Sequence, residues 1–298
     1  MRFVPIVAAV LCLSCGPDFD RSIALLAKDT ILAVRAEPPE SLPGGAVAYT
    51  ALAATSSGAD ASAQIAWSFC QTAPAASEDS PVSAACIAGD ADVVATGTAV
   101  MLATPTDACR RFGPLGMPAQ AGAVPSRPAP PDPTGGFYQP IRLGWEAGVS
   151  IVRERVTCDP TGISLDLAQA YRALRKPNSN PRLLPLVASS GEAPVDLGSL
   201  PALAVVDLVA SWAAESVESY VTVDGERAAL DWHTEKLWVA WFATAGSLDS
   251  DVSQAAPSGN TASNRFHAPA GPGRLFLWTV LHDDRGGTDF AETEIVIR

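Results

Sequence analysis

The sequence predicts a mainly β protein with two β-sandwiches, one connecting helix and a long proline-rich insertion. Its 298 residues include 23 glycines and 25 prolines, a composition that favours many turns and few long helices. Short apolar segments alternate with polar residues at a period of two, which is the pattern of strands with one buried face. The length is sufficient for two domains of ordinary size, each with its own core.

The first 15 residues have the features of an export signal. An early arginine precedes an apolar run over residues 3–13, which ends in small residues. The run is about half of the ~20 residues that a transmembrane helix needs, so we interpret it as a cleaved leader and not as a membrane-spanning anchor. The predicted organisation is, in order, a signal peptide over 1–14, a tether over 15–28, a first sandwich over 29–160, a helical connector over 161–181 and a second sandwich over 182–298.

The end of the leader resembles the lipobox of bacterial lipoproteins. The resemblance is carried by Leu13, Ser14, Cys15 and Gly16. It implies that Cys15 becomes the first residue after cleavage and carries fatty acyl chains such as palmitate, which would hold the protein stably on a membrane. A glycine after the cysteine implies, in that family, sorting to the outer membrane. We therefore expect a lipid anchor at Cys15 and a location on the periplasmic face or the cell surface.

The first sandwich is predicted from strand-like segments that begin at Thr30 and continue over 46–54, 64–70, 99–103, 138–145 and 149–158. In the third of these, Ile65, Trp67 and Phe69 alternate with small or polar residues, so Trp67 is predicted to point into a core. The last two segments are separated by a short turn and are predicted to form a closing hairpin. Residues 105–133 are rich in proline and are predicted to be a long, irregular, extended insertion.

One convincing helix is predicted over residues 163–176. Its apolar positions recur near helical spacing, and Pro177 with Asn178 is expected to end it. The second sandwich follows, with strand-like segments at 182–189, 202–212, 218–225, 235–246, 273–283 and 288–298. The last two segments flank a turn over 284–287.

The order of these strands resembles that of immunoglobulin-like modules of bacterial surface proteins and of PKD repeats. The resemblance covers about 50 residues near the N-terminus and about 60 at the C-terminus, where it is carried by Trp241, Gly246, Pro269, the turn 271–273 and the segment 280–286. The whole arrangement resembles outer-membrane lipoproteins of GC-rich Gram-negative bacteria. The resemblance implies a fold, and it transfers no active site.

The cysteines indicate an oxidising compartment. Apart from Cys12 and Cys15, the chain has Cys70, Cys86, Cys109 and Cys158, and an even number of exported cysteines predicts two disulfides. Three pairings are possible. We prefer Cys70 with Cys86 and Cys109 with Cys158, because the short first interval favours a local bridge. A zinc site is the alternative, but no Cys-x-x-Cys pair or nearby histidine supports it.

The charge balance excludes one class of partner. Lysine and arginine total 20 against 32 acidic residues, which gives a net charge of −12. Such a chain repels nucleic acid, so we predict no nucleic-acid partner.

The segment 235–246 has apolar residues on both faces of its predicted strand. Leu237, Val239 and Trp241 lie on one face, and Trp238 and Phe242 lie on the other. A sandwich needs only one apolar face. The second face is expected to be covered by another part of the chain, or, as the alternative, to form an aromatic platform that binds sugar rings or a protein partner.

Other candidate sites are weak. His233, His267 and His282 are isolated from any metal-ligand spacing. The segments 148–152 and 162–166 lack the second glycine of a nucleophile elbow. The turn acids Asp283, Asp284 and Asp289 could bind Ca²⁺, but solvated acids at a hairpin tip are the favoured interpretation. We therefore predict no enzyme, no cofactor and no metal.

The leading functional hypothesis is a non-enzymatic, lipid-anchored envelope protein that presents two sandwiches for structural roles or for contacts with other envelope proteins. The alternative is a lipoprotein that binds carbohydrate or peptidoglycan through Trp238 and Phe242. An enzyme is the third hypothesis, and no local catalytic signature in the sequence supports it.

Overall fold

The computed structural model of the protein describes residues 24–75, 77–114, 132–255 and 259–298. The predicted signal peptide and the lipidation site Cys15 lie outside the described residues, and so does most of the proline-rich insertion. Among the helices of the described ranges, none has the length and apolar character needed to cross a bilayer.

The first sandwich is formed by two sheets. Its elements are β1 (Thr30–Glu37), β2 (Glu40–Ser41), β3 (Ala46–Thr55), β4 (Gly58–Ala59), β5 (Ala66–Phe69), α1 (Ala84–Ala88), β6 (Ala95–Thr96), β7 (Ala99–Ala103), α2 (Ala108–Phe112), β8 (Phe137–Trp145) and β9 (Gly148–Val156). One sheet has the order β1-β3-β4, with β7 also paired to β3, and the other has the order β2-β9-β8-β5-β6. Trp67 lies fully buried between them, as its alternating strand predicts.

The second sandwich follows the connecting helix α3 (Leu165–Leu174). Its strands are β10 (Val187–Ser190), β11 (Ala193–Pro194), β12 (Val205–Ser211), β13 (Ser219–Asp224), β14 (Ala229–Thr234), β15 (Leu237–Ala243), β16 (Ser247–Leu248), β17 (Val252–Gln254), β18 (Thr261–His267), β19 (Gly273–Asp283) and β20 (Thr288–Ile297). The two sheets have the orders β11-β10-β12-β18-β16 and β17-β15-β19-β20. Trp212, Trp241 and Phe266 fill the core between them. Strands β13 and β14 form a separate hairpin against which α3 packs.

Both sandwiches have the strand order of an immunoglobulin-like domain. In the second, β10, β12, β18 and β16 stand in the order A-B-E-D, and β15, β19 and β20 stand in the order C-F-G. In the first, β1, β3 and β7 correspond to A, B and E, and β5, β8 and β9 to C, F and G. The short β2 continues the first strand and pairs in parallel with β9, so the chain changes sheets there. The predicted fold class, two immunoglobulin-like β-sandwiches with a connecting helix, is therefore confirmed.

Apolar residues at helical spacing predicted the long helix of the chain but not its short helices. Helix α3 lies within the predicted segment 163–176, and the Ser164 hydroxyl accepts a hydrogen bond from Leu167 N at 3.2 Å as its N-cap. Helices α1 and α2, which have five residues each, were not predicted. Helices this short do not repeat a helical apolar pattern. Helix α2 also shows that the insertion predicted from residue 105 is helical at its start.

Two disulfides tie these short helices to the first sandwich. Cys70, just after β5, is bonded to Cys86 in α1, and Cys109 in α2 is bonded to Cys158, just after β9. This is the pairing preferred from the sequence. With all four sulfurs in disulfides, none of these cysteines offers a thiolate for the alternative zinc site.

The last part of the predicted tether is not free. Leu26 N donates to Ala243 O at 2.8 Å, and Ala243 N donates to Ala24 O at 2.8 Å. Ala24 is buried, and Leu26 packs against apolar residues of both sandwiches. Ala24 and Leu26 therefore bind to the body of the protein, although Leu25 between them is exposed. The prediction of a tether over 15–28 did not anticipate this contact.

Candidate functional site

The two sandwiches pack against each other through the outer faces of two sheets. The buried members of this apolar cluster are Ala33, Leu52 and Ala54 from the first sandwich and Trp278 and Val280 from the second. Because a sheet face covered by another domain must be apolar, this contact accounts for the two apolar faces of β15. We call this cluster, together with the polar contacts of residues 175–182 described below, the junction.

The two residues predicted as a possible ligand face have different surroundings. Phe242 pairs across the sheet with Trp278 and packs against the apolar cluster. It therefore belongs to the contact between the sandwiches and not to an open platform, which corrects the alternative interpretation of this residue. Trp238 is partly buried and stacks on His282, with ring centroids 5.5 Å apart. For Phe242, the favoured interpretation holds: another part of the chain covers this face of the strand.

The rim of the cluster is polar and joins the two sandwiches directly. One carboxylate oxygen of Glu292 accepts hydrogen bonds from Ala59 N at 2.6 Å and from Trp278 Nε1 at 2.9 Å. Arg35 of β1 pairs with Asp289 of β20 at 3.3 Å. At this rim of the apolar cluster, charge-assisted hydrogen bonds therefore join the first sandwich to the second.

The turn between β3 and β4 approaches the second sandwich closely. Gly58 has a φ of +109°, and a Cβ at this position would lie 3.0 Å from the ring of Phe276. Only glycine combines this backbone conformation with so close an approach.

The connector between α3 and β10 binds both sandwiches. Arg175 Nη2 donates to Glu40 of β2 at 2.8 Å, and Asn178 N donates to the other oxygen of Glu40 at 3.0 Å. The side chain of Asn178 donates to Asp283 of β19 at 3.2 Å. A single connector residue thus holds a buried acid of each sandwich.

Arg285 lies at the centre of the polar part of the junction and is 1% exposed. Its Nε donates to Glu235 at 2.6 Å, and its Nη2 donates to Glu218 at 2.7 Å. Its Nη1 donates to the carbonyl of Lys176 in the connector at 3.0 Å. The guanidinium also lies 4.7 Å from the centre of the Tyr220 ring. The arginine therefore joins the turn after β19, the hairpin β13–β14 and the connector.

The buried carboxylates of the junction have opposite pKa shifts. Burial raises the pKa of Glu40, but the nearby guanidinium groups of Arg155 and Arg175 outweigh it and leave the pKa below its ordinary value. Burial and the neighbouring Asp283 raise the pKa of Glu235 to about 7, against the lowering effect of Arg285. Burial also raises the pKa of Asp283. The two upward shifts follow from the cost of placing charge in a poorly solvated site, and the downward shift of Glu40 follows from its two arginine neighbours.

The predicted calcium candidates have structural partners instead. Asp283 is buried and accepts hydrogen bonds from Arg285 N at 2.9 Å and Gly287 N at 2.7 Å. Asp289 accepts from Leu183 N at 2.8 Å. The interpretation of Asp283 as a solvated turn acid is wrong, because the turn lies under the connector. Within the described ranges, the one group of side chains close enough to share a metal contains Cys70, Cys86 and Asp90, and its two cysteines are in a disulfide.

The three histidines each have a separate local partner. His233 Nε2 lies 2.8 Å from Thr222 Oγ1, and His267 Nε2 lies 2.7 Å from Asp249 Oδ1. His282 Nδ1 lies 3.3 Å from Thr288 Oγ1, and burial lowers its pKa to about 4. Such groups stabilise local structure, as expected from their isolation in the sequence.

Sequence reasoning missed Arg285 and Asn178 as central residues. The signal available was a single arginine in an acidic turn after a buried strand. Its partners Glu235 and Glu218 lie 50 and 67 positions away in the chain, and no local pattern connects them.

No family model matches the chain, and no curated protein matches it. Among solved structures, the chain is similar to the D0-D1 domain of Intimin, with 9% identity and a TM-score of 0.24 over 89% of this chain and 98% of that one. It is also similar to the adhesin InvE of Yersinia pseudotuberculosis, with 8% identity and a TM-score of 0.25 over 89% of this chain and 58% of that one. A chimeric titin Z1Z2-Z1Z2 tandem is 9% identical, with a TM-score of 0.25 over 91% of this chain and 99% of that one. With TM-scores this low, the immunoglobulin-like assignment rests on the strand order within each sandwich.

Proposed function

We propose that the chain is a non-enzymatic, lipid-anchored protein of the bacterial outer membrane, in which two sandwiches form one rigid body for structural roles or for contacts with envelope proteins. The observation that carries the structural role is the junction, whereas the lipid anchor rests on the resemblance of residues 13–16 to a lipobox. Domains within a chain ordinarily move relative to each other unless their interface is extensive and well packed. Here an apolar cluster, a connector bound on both sides and a buried arginine all act against such motion.

The absence of an enzymatic role is supported by where the titratable groups lie. The buried acids of the junction bind Arg155, Arg175, Arg285 or backbone N–H groups, and the buried Glu154 of the first sandwich binds the hydroxyl groups of Ser41, Tyr49 and Thr104. Ser164, from one of the two incomplete nucleophile elbows, caps α3. Groups engaged in this way hold the fold together and have little freedom to act on a substrate.

The lipid anchor at Cys15 would attach close to the junction. Cys15 lies nine positions before Ala24, which is the first described residue and is bound to Ala243. Nine extended residues reach roughly 30 Å. The proposed anchor would therefore hold the body near the membrane by the side where both sandwiches meet.

The anchor is tested by growing cells with a labelled fatty acid and comparing the wild-type protein with Cys15→Ser. We expect the wild type to carry label and to sediment with outer membranes, and the variant to lose both properties. Label that persists in Cys15→Ser, or a wild-type protein found with its leader in the soluble cell interior, would overturn the proposal of a lipoprotein.

The rigid body is tested separately by spin labels on the exposed residues Val187 and Val149, one in each sandwich. We expect a single narrow distance distribution. A broad distribution in the wild-type protein would contradict a rigid arrangement. Cross-linking in intact envelopes, followed by identification of the bound proteins, would name the partner.

A further inference from the structure

The first sandwich has a cleft at the end where the β3–β4 and β8–β9 turns lie beside the residues that precede β1. Its volume is about 390 Å³, and its lining includes Lys28, Asp29, Asp60, Trp145 and Glu146. A smaller cavity of about 80 Å³ adjoins it and shares Lys28 and Trp145. The larger volume falls within the range of roughly 300–1,000 Å³ that is ordinary for small-molecule sites.

The polar groups of this cleft are available to a ligand. The side chains of Lys28, Asp29 and Glu146 make no hydrogen bond or ion pair with any other described residue. Asp60 accepts hydrogen bonds from Ser62 N and Ser62 Oγ on one oxygen, at 2.8 and 2.6 Å, which leaves its second oxygen open. This differs from the junction, where the buried charges bind each other.

Trp145 provides the apolar surface of the cleft. It is partly buried, and it packs on one side against the core of the first sandwich. The rest of the ring lines both cavities. A large aromatic surface that is fixed in place loses little conformational entropy when a flat ligand stacks on it.

The charges select the class of ligand. Three carboxylates disfavour an anion. They outnumber the single ammonium, but an organic cation would leave Lys28, which lines both cavities, facing like charge without an acceptor. The carboxylates are also not gathered closely enough to share a metal ion. What remains is a neutral molecule with hydroxyl donors for the carboxylates, oxygen acceptors for the lysine and an apolar face for the tryptophan.

We propose that this cleft binds a neutral saccharide of one or two pyranose rings, with one ring stacked on Trp145 and its hydroxyl groups bound by Asp29, Asp60, Glu146 and Lys28. The site is separate from Trp238 and Phe242, and it extends the structural role proposed above. It does not depend on lipidation of Cys15.

The test uses the purified full chain, labelled with ¹⁵N, and follows the indole N–H signals of its tryptophans by NMR. The Trp145 signal is assigned from its loss in Trp145→Phe. The probes are glucose, galactose, mannose, N-acetylglucosamine, maltose and chitobiose. We expect at least one of them to shift the Trp145 signal saturably, while spermidine and glucuronate shift it at least about fivefold more weakly.

Two variants make the test independent of folding. Trp145→Ala should abolish binding, but it also removes a side chain that packs on the core of the first sandwich. The second variant therefore changes only exposed residues and combines Asp29→Asn with Glu146→Gln. We expect the pair to weaken binding about fivefold to tenfold without changing the thermal unfolding midpoint. The control is Trp232→Ala, because Trp232 is 63% exposed on the β13–β14 hairpin, and it should bind as the wild type does. The proposal is overturned if no saccharide of the panel moves the Trp145 signal, or if the double variant binds unchanged.

Discussion

Arg285 and Glu235 form an ion pair with 2.6 Å between Nε and Oε1, and their side chains are 2% and 0% exposed. The same guanidinium binds Glu218 at 2.7 Å, also buried. A buried ion pair costs free energy to form, because both charges lose their hydration. Removing one partner therefore destabilises the folded state by more than the intact pair stabilises it, because the other charge stays buried and unpaired.

Replacing Arg285 with alanine is expected to destabilise the protein by about 3–5 kcal/mol, because Glu235 would remain buried without a cation and Glu218 would keep only one cationic partner, the exposed Lys176. Urea unfolding with the disulfides intact measures the change. The control is Arg274→Ala, since Arg274 pairs with Glu294 while 73% exposed, and exposed pairs contribute about 1 kcal/mol or less. Equal losses in the two variants would contradict the central place of Arg285.

The unfolding free energy should contain a pH dependence that comes from Glu235. Its pKa is raised from the ordinary 4.5 to about 7 in the folded protein, so the folded state binds the proton more tightly than the unfolded state does. The stabilisation from this group is complete below about pH 4.5 and is lost as the pH rises through about 7.

Glu235→Gln should therefore lose less stability than the wild type between about pH 5 and about pH 8. Denaturant unfolding at the two values measures this difference. Glu226→Gln, at an exposed position of the β13–β14 turn, should keep the wild-type dependence. A Glu235→Gln variant with the unchanged wild-type slope would show that Glu235 does not titrate in this range.

Gly58→Ala should weaken the contact between the sandwiches. The new Cβ would meet the Phe276 ring at 3.0 Å, in addition to the strain at a φ of +109°. Gly148→Ala is the matched control, because Gly148 has a φ of +133° and, apart from the glycine itself and its two chain neighbours, no described residue has a heavy atom within 4 Å of the point that its Cβ would occupy. We expect Gly58→Ala to cost about 1–2 kcal/mol more than Gly148→Ala in thermal or urea unfolding. If the two variants lose equal stability, backbone strain alone explains the loss, and the contact with Phe276 contributes nothing to it.

The two disulfides should differ in their contributions to stability. They close loops of 16 and 49 residues, and the loss of loop entropy in the unfolded chain predicts about 3 kcal/mol for the first and about 4 kcal/mol for the second. Double serine variants of each pair, unfolded in urea, measure the two values. Thiol counting on the denatured exported protein should find all of Cys70, Cys86, Cys109 and Cys158 unreactive, and four reactive thiols would contradict both bridges.

The parts of the fold that follow from local pattern were predictable. The alternation around Trp67 placed it in a core, and the spacing over 163–176 identified α3. The apolar residues on both faces of β15 indicated that something covers its second face. The identity of that cover, Ala33, Leu52 and Ala54, depends on how two distant sheets stack, and no periodicity in one strand contains this information.

The polar part of the junction was not predictable for a related reason. Asp283 in a Gly-containing turn has the local appearance of a solvated acid. It is buried because Asn178, 105 positions away, lies against it. Contacts of this kind are fixed by tertiary packing and leave no mark in the neighbouring sequence.

The pairing of Ala24 and Leu26 with Ala243 has a mechanical consequence for a protein held by its N-terminus. Tension applied along the chain at residue 24 would load the two backbone hydrogen bonds to Ala243 in shear before it could reach β1. Part of the force would then pass into β15 of the second sandwich. With the N-terminal anchor proposed above, such tension would thus act on both domains at once, and the two would not unfold one after the other.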